Sequence, residues 1–152
     1  MACIENIFIA PARDAPVRSL TTVEAIAGCG LQGDRYANQR NRKDDGQQLT
    51  LIEAEAIEQF VTETGLAMRL DEPRRNLVTR GIDLNALVGR YFRIGDCELE
   101  GVELCEPCGK WARNTHREVM RFFLHRGGLN ARIVTGGTID VAMSIAARKE
   151  LK

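Results

Sequence analysis

Cys97-Glu-Leu-Glu-Gly-Val-Glu-Leu104 is the stretch on which the reading of this chain turns. Cys97 and Leu99 are apolar against Glu98 and Glu100, the period-two alternation of a strand with one buried face. Beyond Gly101 the phase flips, and Val102 and Leu104 are apolar against Glu103. A one-residue slip turns every later side chain to the other face, so the flip predicts a β-bulge at Gly101. Upstream, Tyr91 to Ile94 reads as the partner strand, with Gly95-Asp96 as the hairpin turn. Directly downstream lies Cys105-Glu-Pro-Cys-Gly-Lys-Trp111, where a bulge beside it suits a functional segment.

Outward from this hairpin the pattern stays strand-rich. The first ten residues read as a strand closed by Pro11, and Gln48 to Ile52 and Asn76 to Thr79 as two more. Pro11 to Asp45, rich in Gly, Arg and Asp, reads as extended segments and loops. Glu53 to Thr64 predicts a helix, with Ile57, Phe60 and Val61 at helical spacing and Gly65 as its stop. Asp83 to Gly89 predicts a single helical turn capped by Asp83. Thr115-His-Arg-Glu118 matches a capping box and predicts a second helix to about Arg126, with Val119, Phe122 and Phe123 inward. Asn130 to Val134 and Ile139 to Ile145 complete the strands. Short strands, few helices and Gly-rich turns together predict one predominantly β, barrel-like α+β domain over residues 1–152.

Composition narrows the classes of function. Lys+Arg and Asp+Glu number 21 each, which offers no electrostatic argument for nucleic acid or an acidic membrane. No apolar run approaches the roughly 20 residues that span a bilayer, and Glu5 interrupts the apolar start, unlike a signal peptide. The expectation is a cytoplasmic protein whose five cysteines are mostly free thiols.

Among these cysteines, Cys105-x-x-Cys108 carries the strongest chemical signal. A thiolate is both a nucleophile and a soft-metal ligand, and Lys110 and Arg113 lie close to Cys108 in sequence. A Pro-Cys-Gly-Lys turn is a poor place for inert core packing. Three chemistries remain open on the residues alone. A thioredoxin-like redox pair belongs after an early strand in a βαβ unit, whereas this pair follows a hairpin late in the chain. A zinc site would need further ligands, for which Cys97, His116 and His125 are the candidates, without a tight second pair. The third is a cysteine that carries sulfur or ligates a metal such as molybdenum, with its neighbour protecting or resolving it. Gly33-Asp34-Arg35 and Arg74-Arg75-Asn76 form a second constellation, since arginine forks recognise phosphate and glycine permits close approach. His116 and His125 read as a solvated helix face, His116 alternatively as an aid to the thiol. Trp111 reads as packing or as a pocket wall.

Taken together, these segments resemble the MOSC family, the domain named after the C-terminal part of eukaryotic molybdenum cofactor sulfurase. The resemblance runs through Ile7-Phe-Ile-Ala-Pro11, Gly30-Leu-Gln-Gly-Asp-Arg-Tyr36, Gln48 to Ala56, Arg74 to Gly89 and Cys105-Glu-Pro-Cys108. It implies a mostly β, barrel-like fold with two or three short helices, of the small stand-alone bacterial type. It further implies that Cys108 carries persulfide sulfur or ligates molybdenum, with Cys105 as its auxiliary. Arg75 and Asn76 match the family's polar motif and are expected to shape the pocket and hold the phosphate of the molybdenum cofactor (molybdopterin). Arg35 and Lys110 complete the expected binding set. The implied role is a sulfur carrier or molybdenum-dependent component, or the molybdenum subunit of a reductase for N-hydroxylated compounds. A cysteine-desulfurase-type sulfur donor, or a separate electron-transfer protein, is the expected partner, since the chain ends soon after its last strand. Two points depart from the family pattern or compete with it. Gly137-Thr-Ile-Asp140 replaces the Gly-Asp that many members place near the last strand. A non-enzymatic zinc or redox-regulated Cys-x-x-Cys module is the competing reading.

Overall fold

The computed structural model describes residues 2–38 and 47–148, so the part of the Pro11–Asp45 expectation that covers 39–45 lies outside the described residues. Eight strands form the main sheet: β1 (Cys3–Ile9), β2 (Arg18–Leu20), β5 (Leu49–Glu53), β6 (Leu77–Arg80), β7 (Tyr91–Ile94), β8 (Cys97–Leu104), β9 (Leu129–Thr135) and β11 (Ile145–Ala147). Their order is β11-β7-β8-β9-β5-β6-β1-β2. A smaller sheet joins β3 (Thr22–Ile26), β4 (Gly30–Leu31) and β10 (Gly137–Asp140) in the order β10-β3-β4. The helices are α1 (Arg35–Asn38), α2 (Ala54–Thr64), α3 (Gly109–Asn114) and α4 (Val119–Phe122), with a 3₁₀ turn at Leu84–Leu87. The fold is α+β and predominantly β, with four helices among the described residues where two or three short ones were expected.

The hairpin and bulge appear where the alternation places them. Ile94 faces Cys97 across the turn. On the other side of β8, Gly101 faces Ala131 and Glu103 faces Asn130, leaving Val102 as the extra residue. Val102 turns to solvent rather than inward, and Leu104 is half-buried opposite Leu129.

Three expectations are corrected. The main sheet is not closed into a barrel: among the described residues no strand ladder joins β11 to β1. The segment before β11 reaches β1 through an isolated bridge between Cys3 and Ser144 and bonds such as Ala142 N–H to Ile4 O, 2.7 Å. The expected strand Ile139–Ile145 is split between the two sheets, because the chain turns at Ala142 (φ 75°). The expected helix Thr115–Arg126 shrinks to α4 (Val119–Phe122), and a separate helix, α3, ends just before it. The Thr115 hydroxyl donates to the Trp111 carbonyl at 2.7 Å, closing α3 instead of opening a new helix. Glu118 makes no side-chain cap bond at the start of α4.

Sequence patterning explains why β1, β5 and β6 lie deep in the molecule. β5 and β6 run parallel, which demands a crossover, and α2 supplies it. Both faces of β5 and β6 are covered, so consecutive apolar residues, Leu51-Ile52 and Leu77-Val78, are buried in each. Ile7, Leu51 and Leu77 join Leu99 and Ile133 in one core, while Phe8, Ile52 and Val78 meet Phe60, Trp111 and Phe123 in the other. Trp111 and Phe123 lie 4.5 Å apart and Phe60 and Phe123 5.4 Å apart, ring centre to ring centre. Each such buried aromatic contributes about 2–3 kcal/mol. This second core seats α3 and α4 against the sheet.

Register then determines what meets at one end of the sheet. Leu104 pairs with Leu129, Leu129 with Leu51, Leu51 with Leu77, and Leu77 with Ile7. The segments that follow β8 and β1, and those that precede β9 and β6, leave along that line.

Candidate functional site

Those segments enclose a cavity of about 360 Å³. Cys108, Lys110, Trp111 and Arg113 line it from α3 and its entry; Glu72, Arg74 and Arg75 from the segment before β6; Arg13 from the segment after β1; and Arg35 from α1. Six lining residues are Arg or Lys against one carboxylate, Glu72. A chain of zero net charge has concentrated cations here.

The two thiols differ in kind. Cys108 is exposed, at the N-cap of α3 in extended backbone, and its side chain makes no capping bond. Cys105 is buried, and its N–H donates to Gly128 O at 2.8 Å. Burial pushes the Cys105 thiol up, against a smaller downward pull from the Arg75 guanidinium. Cys105 is therefore a neutral thiol at physiological pH, and it does not line the cavity. Both are free thiols.

Arg75 is 8% exposed and spends its guanidinium on the backbone. Nε donates to Gly127 O (2.9 Å), Nη1 to Pro73 O (3.1 Å), and Nη2 to Cys105 O and Glu106 O (3.3 Å each). Its carbon Cζ also lies 5.2 Å from the centre of the Trp111 ring. The side chain is thus a clamp on the segment that presents Cys108. Gly127 fits the same closure, because a Cβ there would stand 2.5 Å from the Cys105 carbonyl oxygen.

Asn76 does not line this cavity. It is buried between strands: Oδ1 accepts from Thr50 N–H (3.0 Å) and from the Thr50 hydroxyl (3.3 Å), and Nδ2 donates to Phe8 O (3.1 Å). Its amide stitches β1, β5 and β6 together, and the residue lines a small neighbouring pocket with Arg35, Arg74 and Arg75. Arg35 lines the cavity and donates to the Tyr36 hydroxyl at 2.8 Å. Asp34 beside it accepts from Ala10 N–H at 2.9 Å, tying α1 to the end of β1. Lys110 lines the cavity but is held by Asp14 and by Arg13 O (3.2 Å). The Lys110 ammonium keeps the Asp14 carboxyl below the ordinary range.

Arg113, Arg13 and Arg74 complete the cationic wall; Arg74 stands in the phosphate-recognising Arg74-Arg75-Asn76 stretch singled out from sequence, whereas Arg13 and Arg113 are absent from the binding set expected there. Arg113 could have been found from its place four residues after Gly109, had that stretch been read as a helix. Arg74 adopts φ 59°, an uncommon conformation for a non-glycine residue, and its Nη2 donates to Arg13 O at 3.0 Å.

Neither histidine joins the cavity. His116 Nε2 lies 2.8 Å from Ala67 O, with its ring against Phe60, and His125 bonds Glu106 through N–H and Nδ1, 2.7 Å each. Among the described residues no three of His, Cys, Asp and Glu are grouped to hold a metal ion, so the zinc reading has no ligand set.

A family model for the MOSC domain matches residues 38–146. This chain belongs to the MOSC family. Its fold is shared with the YuaD protein from Bacillus subtilis, at TM-score 0.79 and 16% identity, covering 95% of this chain and 94% of that one. YiiM from Geobacillus stearothermophilus is similar at TM-score 0.74 and 11% identity, covering 98% of this chain and 76% of that one. YiiM from Escherichia coli is similar at TM-score 0.68 and 14% identity, covering 98% and 71%. At these identities the likeness is one of fold. No curated protein matches the chain. Among the described residues of this MOSC protein, no helix is long and apolar enough to cross a membrane.

Proposed function

We propose that this MOSC protein works through Cys108, whose thiol takes up persulfide sulfur or binds the molybdenum cofactor. It is then a sulfur carrier or a molybdenum-dependent component. One observation carries the reading: Cys108 is an exposed thiol on the wall of a cavity whose charged groups are mostly cationic. Cysteine sulfur suits soft metals and sulfur transfer.

The donor set fits the phosphate-bearing cofactor. Cys108 would offer one sulfur to the metal, and Arg35 and Arg74 would offer guanidiniums to the phosphate. Trp111 adds a buried indole N–H with no partner among the described residues. The cofactor, when bound, supplies two-electron redox chemistry. For its part, the chain holds the Cys108 segment by the Arg75 clamp and keeps Cys105 protonated beneath it. A cytoplasmic setting keeps such thiols reduced. A cysteine-desulfurase-type donor would supply sulfur, or a separate electron-transfer protein would supply electrons.

The test is to purify the protein from a host that makes the cofactor, then measure molybdenum by elemental analysis and persulfide by mass spectrometry. Wild type is expected to carry one of the two and Cys108→Ser neither. Absence of both from wild type, or equal loading of Cys108→Ser, overturns the reading.

A further inference from the structure

Arg13 and Arg113 line the cavity with side chains that have no partner among the described residues, and Arg113 is the one on the helix that Cys108 begins. It lies four residues after Gly109 on α3, and helical side chains lean back toward the helix start. Its guanidinium therefore covers the residue next to the thiol: a Cβ at Gly109 would stand 2.9 Å from Arg113 Nη1. Among the described residues its side chain has no hydrogen-bond or ion-pair partner. Lys110 is held by Asp14 and Arg75 by backbone carbonyls, so neither is similarly available. Glu72, the one carboxylate lining the cavity, accepts from Arg69 N–H at 2.8 Å.

We propose that Arg113 makes Cys108 selective for small anionic reactants. The molecule that meets this thiol carries an oxyanion group such as a carboxylate or a sulfonate. Arg113 holds that group while the reactive atom faces the sulfur. The inference rests on Cys108 being the reacting group. A guanidinium fork binds an oxyanion through two N–H groups at once, and an uncompensated cationic cavity raises the local concentration of anions. Gly109 belongs to the device, because any side chain there pushes the guanidinium aside.

Where sulfur is the cargo, the donor class is an anionic thiosulfonate. The Cys108 thiolate sulfur attacks the donor's outer sulfur and forms a new S–S bond. The donor's own S–S bond breaks, its electron pair leaves on sulfinate or sulfite, and Cys108 remains as a persulfide. No outside oxidant or reductant takes part.

Alkylation of the reduced full chain tests the selectivity without any assumption about sulfur. Rates at Cys108 are measured by mass spectrometry with iodoacetate, which is anionic, and iodoacetamide, which is neutral. Their ratio is compared with that of free cysteine, which cancels differences in thiolate content. The ratio is expected to be about tenfold above free cysteine. Arg113→Gln should bring it most of the way down, with the iodoacetamide rate changing far less, and Arg113→Lys should keep part of it. Gly109→Ala, which displaces the guanidinium without removing it, should resemble Arg113→Gln. A wild-type ratio no higher than free cysteine, or one unchanged in Arg113→Gln, overturns the proposal.

Sodium thiosulfate and the neutral diallyl trisulfide are then offered as sulfur donors. Persulfide at Cys108 from thiosulfate, reduced in Arg113→Gln, supports the proposal. Loading from the trisulfide alone overturns it and leaves sulfur carriage standing. Loading from neither, with the alkylation ratio as expected, removes sulfur carriage and supports the anion selectivity.

Discussion

The buried layer beneath the Cys108 cavity, its floor, and the rim of the cavity use arginine and cysteine in opposite ways. In this floor Arg75 lines the cavity and Asn76 and Cys105 lie behind it; all three are buried, and the polar groups of Arg75 and Asn76 are spent on backbone and neighbouring strands. At the rim, Cys108 is exposed and Arg113 has no partner among the described residues. An arginine whose donors are consumed can no longer bind a ligand, but it can hold a loop still. An arginine left unpaired contributes little to stability and keeps its donors for whatever enters. The difference teaches that arginine in the motif and arginine in the site are separate matters.

Substitutions can break this division. The largest effect is expected at the rim: Cys108→Ser should abolish loading of persulfide or molybdenum while leaving the thermal midpoint nearly unchanged. A drop in midpoint comparable to that of a floor variant would show that the rim also supports the fold. Next, Arg75→Ala should destabilise the chain by about 3 kcal/mol, because it strands the carbonyls of Cys105, Glu106 and Gly127. Denaturant unfolding measures this, and Arg75→Lys should recover little, since an ammonium cannot reproduce the fork. Asn76→Ala should cost about 2 kcal/mol by unpairing Thr50 N–H and Phe8 O, with no direct change in Cys108 alkylation.

The smallest effect concerns Cys105. Its folded-state thiol is pushed up, so the unfolded chain loses this proton first as pH rises. The stability due to neutral Cys105 is thus whole below about pH 8.5 and declines above it. Unfolding measured across that range should show a shallower decline in Cys105→Ala than in wild type. Buried Cys97 is pushed up as well and contributes the same trend to both proteins.

Legibility followed the range of the interactions. The hairpin at Gly95-Asp96 and the bulge at Gly101 were readable because alternation and turn chemistry act over a few residues. The Thr115-Glu118 capping box was misleading because Thr115 had a competing acceptor at Trp111, one turn back on a helix that the sequence does not announce. The strand-tying bonds of Asn76 are not legible, because a buried asparagine and a binding one look alike in sequence. Its partners, Thr50 and Phe8, lie 26 and 68 residues away.

By itself the sequence determined the family, the predominantly β composition of the fold, and Cys108 as the thiol to watch. These rest on local periodicity, on turns and on a motif within one short segment. Only the tertiary structure decided that the curled sheet stays open, that Arg75 clamps while Arg113 has no partner among the described residues, and which loops surround the thiol. Arg75 reaches Glu106 across 31 residues, and Lys110 reaches Arg13 across 97. Such meetings follow from the register that aligns Leu104, Leu129, Leu51, Leu77 and Ile7. Register is a property of strand pairs rather than of any one segment, so the charge that surrounds Cys108 exists only once the sheet has formed.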